Sequence, residues 1–161
     1  MSTLVAYFSA TGSSGTTAHV AKNLAQATGA DLFEIAPETP YTEADLDWHD
    51  ASSRSSVEMR DETCRPAIAG AVDGMDAYDT VFVGFPIWWY VEPRIIDTFL
   101  ESYDFAGKTV VPFATSGGSN LGKAPERMEG IAKGATVLAG KMLNGNPGVD
   151  ELRTWAESLR R

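Results

Sequence analysis

The chain has one cysteine, Cys64, two histidines, His19 and His49, and only 13 lysines and arginines against 22 aspartates and glutamates. A single thiol excludes an intramolecular disulfide and any zinc centre of the multi-cysteine kind, and two imidazoles leave little with which to build a metal site. The net charge of −9 repels phosphate backbones and anionic lipid, so neither nucleic acid nor a membrane surface is expected as a partner. Basic protein partners fit this balance, although an acidic surface also serves solubility alone.

Long hydrophobic runs are missing as well. The longest charge-free apolar stretch, Thr80 to Val91, has twelve residues and contains Pro86, whereas a membrane-spanning helix needs about 18 or more. At the N-terminus, Met1-Ser2-Thr3 leads directly into Leu4-Val5-Ala6-Tyr7-Phe8, with no basic region or small-residue cleavage site, so a cytoplasmic protein is expected. Repeats and low-complexity tracts are absent. With 161 residues, 43% hydrophobic and 22% charged, residues 1–161 read as one self-sufficient domain, since domains commonly run about 100–200 residues.

What is present is an alternation of short apolar runs and amphipathic stretches. Leu4 to Phe8 reads as a buried strand, and Thr16 to Thr28 as a helix carrying Val20, Ala21, Leu24 and Ala25 on one face and stopped by Gly29. Asp31 to Ala36 reads as a second strand ended by Pro37 and Pro40, and Thr80 to Phe85 as the third. Pro93 suits the first position of a helix bearing Ile95, Ile96, Phe99 and Leu100. Lys108 to Ala114 is the fourth strand, followed by a helix with Leu121, Ala124, Met128, Ile131 and Ala132 on one side. Thr136 to Leu138 is the fifth strand, and a last helix from about Pro147 carries Val149, Leu152, Trp155, Ala156 and Leu159, with Asn146 as its cap. The polar stretch Tyr41 to Ile68 has no clear period, though 50–62 has room for a helix. Such alternation implies right-handed parallel crossovers and an α/β doubly wound sheet with helices on both faces, whose ligand lies beyond the carboxyl ends of the strands.

Three loops leave those ends. Ser9-Ala10-Thr11-Gly12-Ser13-Ser14-Gly15-Thr16-Thr17 offers six hydroxyls and two glycines at a helix N-terminus, a place where backbone N–H groups and the helix dipole hold an anion. No Lys or Arg precedes Lys22, and Thr16 stands where a P-loop needs its lysine, so neutral donors replace the charge clamp of nucleoside triphosphate hydrolases. A Ser/Thr-rich turn that simply caps the helix is the plainer alternative. The second loop, Pro86-Ile87-Trp88-Trp89-Tyr90-Val91-Glu92-Pro93, sets three consecutive aromatics at the same edge, where at least one must face solvent, a ligand or a protein partner. In the third, Thr115-Ser116-Gly117-Gly118-Ser119-Asn120, paired glycines let the backbone approach a ligand. A phosphorylated, flat, polar-edged ligand meets all three demands, and FMN is such a ligand.

The segments Tyr7-Phe8-Ser9-Ala10-Thr11-Gly12 with Thr17 and Ala21, Gly84-Phe85-Pro86-Ile87-Trp88-Trp89, and Pro112-Phe113-Ala114-Thr115-Ser116-Gly117-Gly118-Ser119 resemble the three FMN loops of the flavodoxin-like family. The resemblance spans nearly the whole chain. It implies a five-stranded parallel sheet of order 2-1-3-4-5 and non-covalent FMN that shuttles electrons between protein partners, a reductase and an acceptor, meeting an acidic surface. Carried over by residue, the phosphate falls to Ser9, Thr11, Gly12 and Thr17, with Thr16, Ala10, Ser13 and Ser14 around it and Ser13-Ser14-Gly15 as an apparent insertion. The isoalloxazine falls to Trp88 and Trp89 with Tyr90, Pro86 and Ile87, and its pyrimidine edge to Thr115, Ser116, Gly117 and Gly118.

Two expectations concern chemistry. Carboxylates at Asp45, Asp47, Asp50 and Glu92 near the site would oppose negative charge on the reduced flavin and lower its potential. Many members of the family stabilise a one-electron-reduced flavin by flipping a glycine-containing peptide, whereas Ile87 to Val91 contains no glycine, so that state should be scarce here. An electron carrier without a catalytic residue is the first reading. An FMN-dependent NAD(P)H oxidoreductase acting on quinones or similar acceptors is the alternative, and fold alone does not choose between them. A phosphoacceptor receiver is a poor fit, because neither Ser9 nor Gly84-Phe85 supplies an aspartate pocket.

Overall fold

The computed structural model of the chain describes residues 2–9, 16–47, 49–88, 91–115, 121–143 and 147–159. Along it run β1 (Ser2–Tyr7), α1 (Thr16–Thr28), β2 (Asp31–Glu34), β3 (Ala36–Pro37), α2 (Arg54–Arg60), β4 (Ile68–Ala69), β5 (Tyr78–Pro86), α3 (Arg94–Ser102), β6 (Thr109–Thr115), α4 (Ala124–Ile131), β7 (Thr136–Val137), β8 (Lys141–Met142) and α5 (Val149–Ser158). The main sheet has the order β2-β1-β5-β6-β7, with β8 also pairing β6, and its pairings are all parallel. With β3 and β4 set aside as a separate small sheet, this is the expected 2-1-3-4-5 arrangement, its fifth place shared by β7 and β8.

The apolar runs of β1 and β5 reflect burial on both faces, the usual condition of a parallel sheet. Leu4, Ala6, Phe8, Val81, Val83 and Phe85 face α3 and α4 through Ile95, Ile96, Phe99 and Met128. The alternate residues Val5, Tyr7, Phe82, Val111 and Phe113 face α1 and α5 through Val20, Leu24 and Leu152. Gly84 belongs to this second face, where Phe113 leaves no room for a side chain: a Cβ on Gly84 would lie 2.2 Å from Phe113 Cζ.

Several boundaries differ from expectation for physical reasons. The strand anticipated over 31–36 divides. Asp31–Glu34 stays in the main sheet, while Ala36 and Pro37 pair antiparallel with Ala69 and Ile68, so Pro37 takes part in a ladder instead of ending one. That pairing closes the excursion 38–67. Within it α2 is shorter than the 50–62 window, capped by Ser53, whose side chain accepts from the Ser56 N–H. Pro93 is the N-cap of α3 and not its first helical residue. Gly148, not Asn146, is the N-cap of α5, and Asn146 lies outside the described residues.

The divided fifth strand follows from Pro112. The carbonyls of Lys108, Val110 and Ala114 accept from the N–H groups of Thr136, Leu138 and Leu143, so even-numbered residues of β6 turn their polar groups toward β7 and β8. Residue 112 is next in that series, and a proline has no N–H to offer. The edge strand detours there. Gly140, at φ 74°, passes so close that a Cβ would sit 2.1 Å from the Pro112 carbonyl oxygen. Among the described residues, no helix is long and apolar enough to cross a membrane.

Candidate functional site

The first and third loops meet through two hydroxyls. β1 leads into Phe8, whose N–H donates to Gly84 O at 2.8 Å, and then into Ser9, which is buried. The chain returns at the first turn of α1, which contains Thr16 and Thr17 and no acidic residue, so its positive end is not neutralised from within. Thr17 Oγ1 and Thr115 Oγ1, 98 residues apart in sequence, lie 2.6 Å from one another in a buried contact. That bond ties the start of α1 to the end of β6. Pro86 at the end of β5 pairs in register with Thr115, which brings the second loop out beside them. Ser9, Thr17, Pro86 and Thr115 are thus assembled at the carboxyl edge of β1, β5 and β6, at the switch point of the sheet. Thr16 is exposed at the same helix end.

The second loop is pinned at its base. The Trp88 N–H donates to Val91 O at 3.0 Å and the Val91 N–H to Trp88 O at 3.2 Å, an antiparallel bridge between the two residues. The Ile87 side chain is buried in the core, so only its backbone is free for a ligand. Trp88 is half-buried and meets Phe8 edge-on, with ring centroids 5.7 Å apart at 90°. Tyr41 stands against both, 5.5 Å from Trp88 and 5.6 Å from Phe8. Ala10, Thr11, Gly12, Ser13, Ser14, Trp89, Tyr90, Ser116, Gly117 and Gly118 lie outside the described residues.

Glu92 requires correction. Expected as a carboxylate whose charge is felt at the site, it is fully buried. Burial first, and then the facing Asp97 carboxylate, push its pKa up to about 9, with Arg127 pulling the other way. Both causes disfavour its charged form, so it is a poor source of such charge. Arg127 reaches from α4 to Glu92 at 3.5 Å, to Asp97 at 3.8 Å and to Glu62 at 3.4 Å, joining α4, the end of the aromatic loop, α3 and the 38–67 excursion. The buried Arg94 donates from Nη2 to Met59 O at 2.8 Å and from Nε to Glu58 O at 3.4 Å. Asp45, Asp47 and Asp50 shape the turns of the excursion, accepting from the N–H groups of Thr42, His49 and Ser52.

Sequence reasoning missed Tyr41 and its supports. Its hydroxyl donates to Glu58 Oε1 at 2.5 Å, and the Arg54 guanidinium lies 3.8 Å above its ring centroid. Arg54 Nε also donates to Glu58 Oε2 at 3.0 Å. These partners come from a stretch without hydrophobic period, so no spacing announced them. The one available signal was a large aromatic, directly after Pro40, in an otherwise polar segment.

Fold and site together define a doubly wound α/β protein with Ser9, Thr17, Thr115 and the half-buried Trp88 gathered at the carboxyl edge of its sheet. The flavodoxin family profile matches residues 2–159. The chain belongs to the flavodoxin family. Among solved structures it is similar to a protein of Bacteroides uniformis assigned provisionally as a flavoprotein, with 50% identity, a TM-score of 0.89 and 97% of each chain covered. It is similar also to one of Bacteroides eggerthii assigned in the same way, with 46% identity, a TM-score of 0.89, and 99% of this chain and 98% of that one covered. A flavoprotein of Lactobacillus acidophilus, solved in complex with FMN, shares the fold at 22% identity and a TM-score of 0.69, over 96% of this chain and 98% of that one. No curated protein matches the chain.

Proposed function

We propose that the protein binds FMN non-covalently and carries electrons on it between redox partner proteins. The observation that carries this reading is the Thr17–Thr115 contact of 2.6 Å, which holds the N-terminus of α1 and the end of β6 in one place, next to Pro86 at the end of β5. Family membership supports FMN as the ligand that fits them.

Bound FMN supplies a ring that takes up and releases electrons reversibly. The protein's part is to hold and shield it. Ser9, the hydroxyls of Thr16 and Thr17 and the first N–H groups of α1 receive the phosphate with neutral donors. Keeping Lys and Arg out of this cradle avoids a fixed cationic charge near the ring. Trp88, fixed by its bonds to Val91, would offer a wall to the flat face, and Thr115 at the end of β6 would serve the polar edge.

The test is anaerobic reduction of the FMN-loaded protein, read by flavin absorbance. A carrier stays oxidised with NADH or NADPH alone and is reduced once a separate reductase is added. Direct bleaching by either nicotinamide would overturn the carrier reading in favour of an FMN-dependent NAD(P)H oxidoreductase acting on quinones or similar acceptors. Failure to take up FMN at all would overturn both.

A further inference from the structure

We infer that Tyr41 is a positioning residue for the flavin site, acting through Trp88 and set in place by Glu58 and Arg54 of α2. The inference rests on the FMN reading above and extends it to the excursion 38–67, to which the three strand-end loops assign no role.

The geometry is a closed set of contacts. The Trp88 backbone is fixed by reciprocal bonds to Val91. Those bonds leave its side-chain torsions free, so neighbours must decide where the indole plane lies. Phe8 meets it at 90° and Tyr41 at 77°, while Phe8 and Tyr41 meet each other at 63°. Each pair is edge-to-face, the favourable arrangement for ring quadrupoles. Phe8 is buried and immobilised at the end of β1. Tyr41 comes from a polar connection and would be loose without its own supports. Two are present: the hydroxyl bond to Glu58 at 2.5 Å and the Arg54 guanidinium 3.8 Å above the ring.

Arg54 is itself held, by Glu58 at 3.0 Å and by the Thr39 carbonyl at 2.7 Å. The excursion therefore supplies one of the two ring contacts of Trp88, and α2 anchors it through Arg54 and Glu58. In this arrangement the orientation of the indole depends on Tyr41 and not on the Val91 bonds alone.

A double-mutant cycle tests this, with FMN titrated into the apoprotein and read by flavin fluorescence quenching and visible circular dichroism. Tyr41→Ala is expected to weaken FMN binding about tenfold or more and to change the circular dichroism of the bound flavin, while Tyr41→Phe, which keeps the ring and its Arg54 contact but loses the Glu58 bond, should fall between wild type and Tyr41→Ala. In a Trp88→Ala background, Tyr41→Ala should have little further effect on affinity, because its route to the flavin is gone. An equal loss in both backgrounds would overturn the inference, as would a Tyr41→Ala protein that binds FMN with wild-type affinity and spectrum. Should Tyr41→Ala not fold, Tyr41→Leu keeps most of the packing volume and enters the same cycle. A wild-type protein that takes up no FMN defeats the parent reading instead, so the two failures are distinct.

Discussion

Single atoms decide two properties of this molecule. At Gly84 the Phe113 ring occupies the space of a side chain, so Gly84→Ala must displace an aromatic ring that is itself fully buried. Overpacking of this kind costs about 1–3 kcal/mol, and a urea unfolding midpoint lowered accordingly is the expected result. Glu92 governs the response to pH. Its carboxyl has an ordinary value of 4.5 and is raised in the fold to about 9. At low pH both folded and unfolded chains hold the proton. Between the two values only the folded chain does, so stability falls as pH rises, by at most about 1.4 kcal/mol per unit. The contribution is fully present below the lower value and gone above the upper one. Urea midpoints followed from about pH 5.5 to 9 should decline for the wild type, and Glu92→Gln, a permanent stand-in for the protonated acid, should remove that part of the slope.

Among the elements, α2 depends on a residue far from it in sequence. Arg94 serves the Glu58 and Met59 carbonyls at its C-terminal end, where a helix leaves acceptors without partners. Arg94→Met should leave the Met59 carbonyl without this donor, while Glu58 O keeps the Asp61 N–H at 3.2 Å, and should strip the buried Asp97 of its Arg94 partner at 3.7 Å; the expected loss is about 1–3 kcal/mol, with faster amide hydrogen exchange over 54–60 and 94–102 than elsewhere as its sign. The same contrast separates what could be read in the sequence from what could not. Thr16–Thr28 was legible to the residue because apolar spacing and Gly29 are both local signals. The central strands, whose apolar runs reflect burial on both faces, were legible to within one or two residues at each end. The hydroxyls of Thr17 and Thr115 were legible as loop residues, but their contact was not, since nothing local links positions 98 apart. Pro112 was visible inside a strand, yet its effect fell on β7 and β8. Tyr41, Arg94 and Arg127 work through partners on other elements, and no periodicity points across that distance.

At the scale of the whole molecule, charge bears on the choice of partner. With a net charge of −9, the electron carrier proposed here should react fastest with a basic acceptor protein, and its bimolecular rate should fall as salt is raised, because screening shortens the reach of the attraction. Stopped-flow transfer to a basic haem protein measures this, and a rate independent of ionic strength would count against an electrostatic docking surface. The sheet has a further consequence at its margins. On one side β2 offers only four residues, with Asp31 and Glu34 at its ends. On the other, β7 and β8 contribute two residues each, interrupted where Gly140 passes Pro112. Among the described residues, neither border presents the long, regular row of unpaired donors and acceptors on which a foreign strand could template itself. The proline that divides the fifth strand thus shortens the row along which another molecule's strand could pair with this sheet.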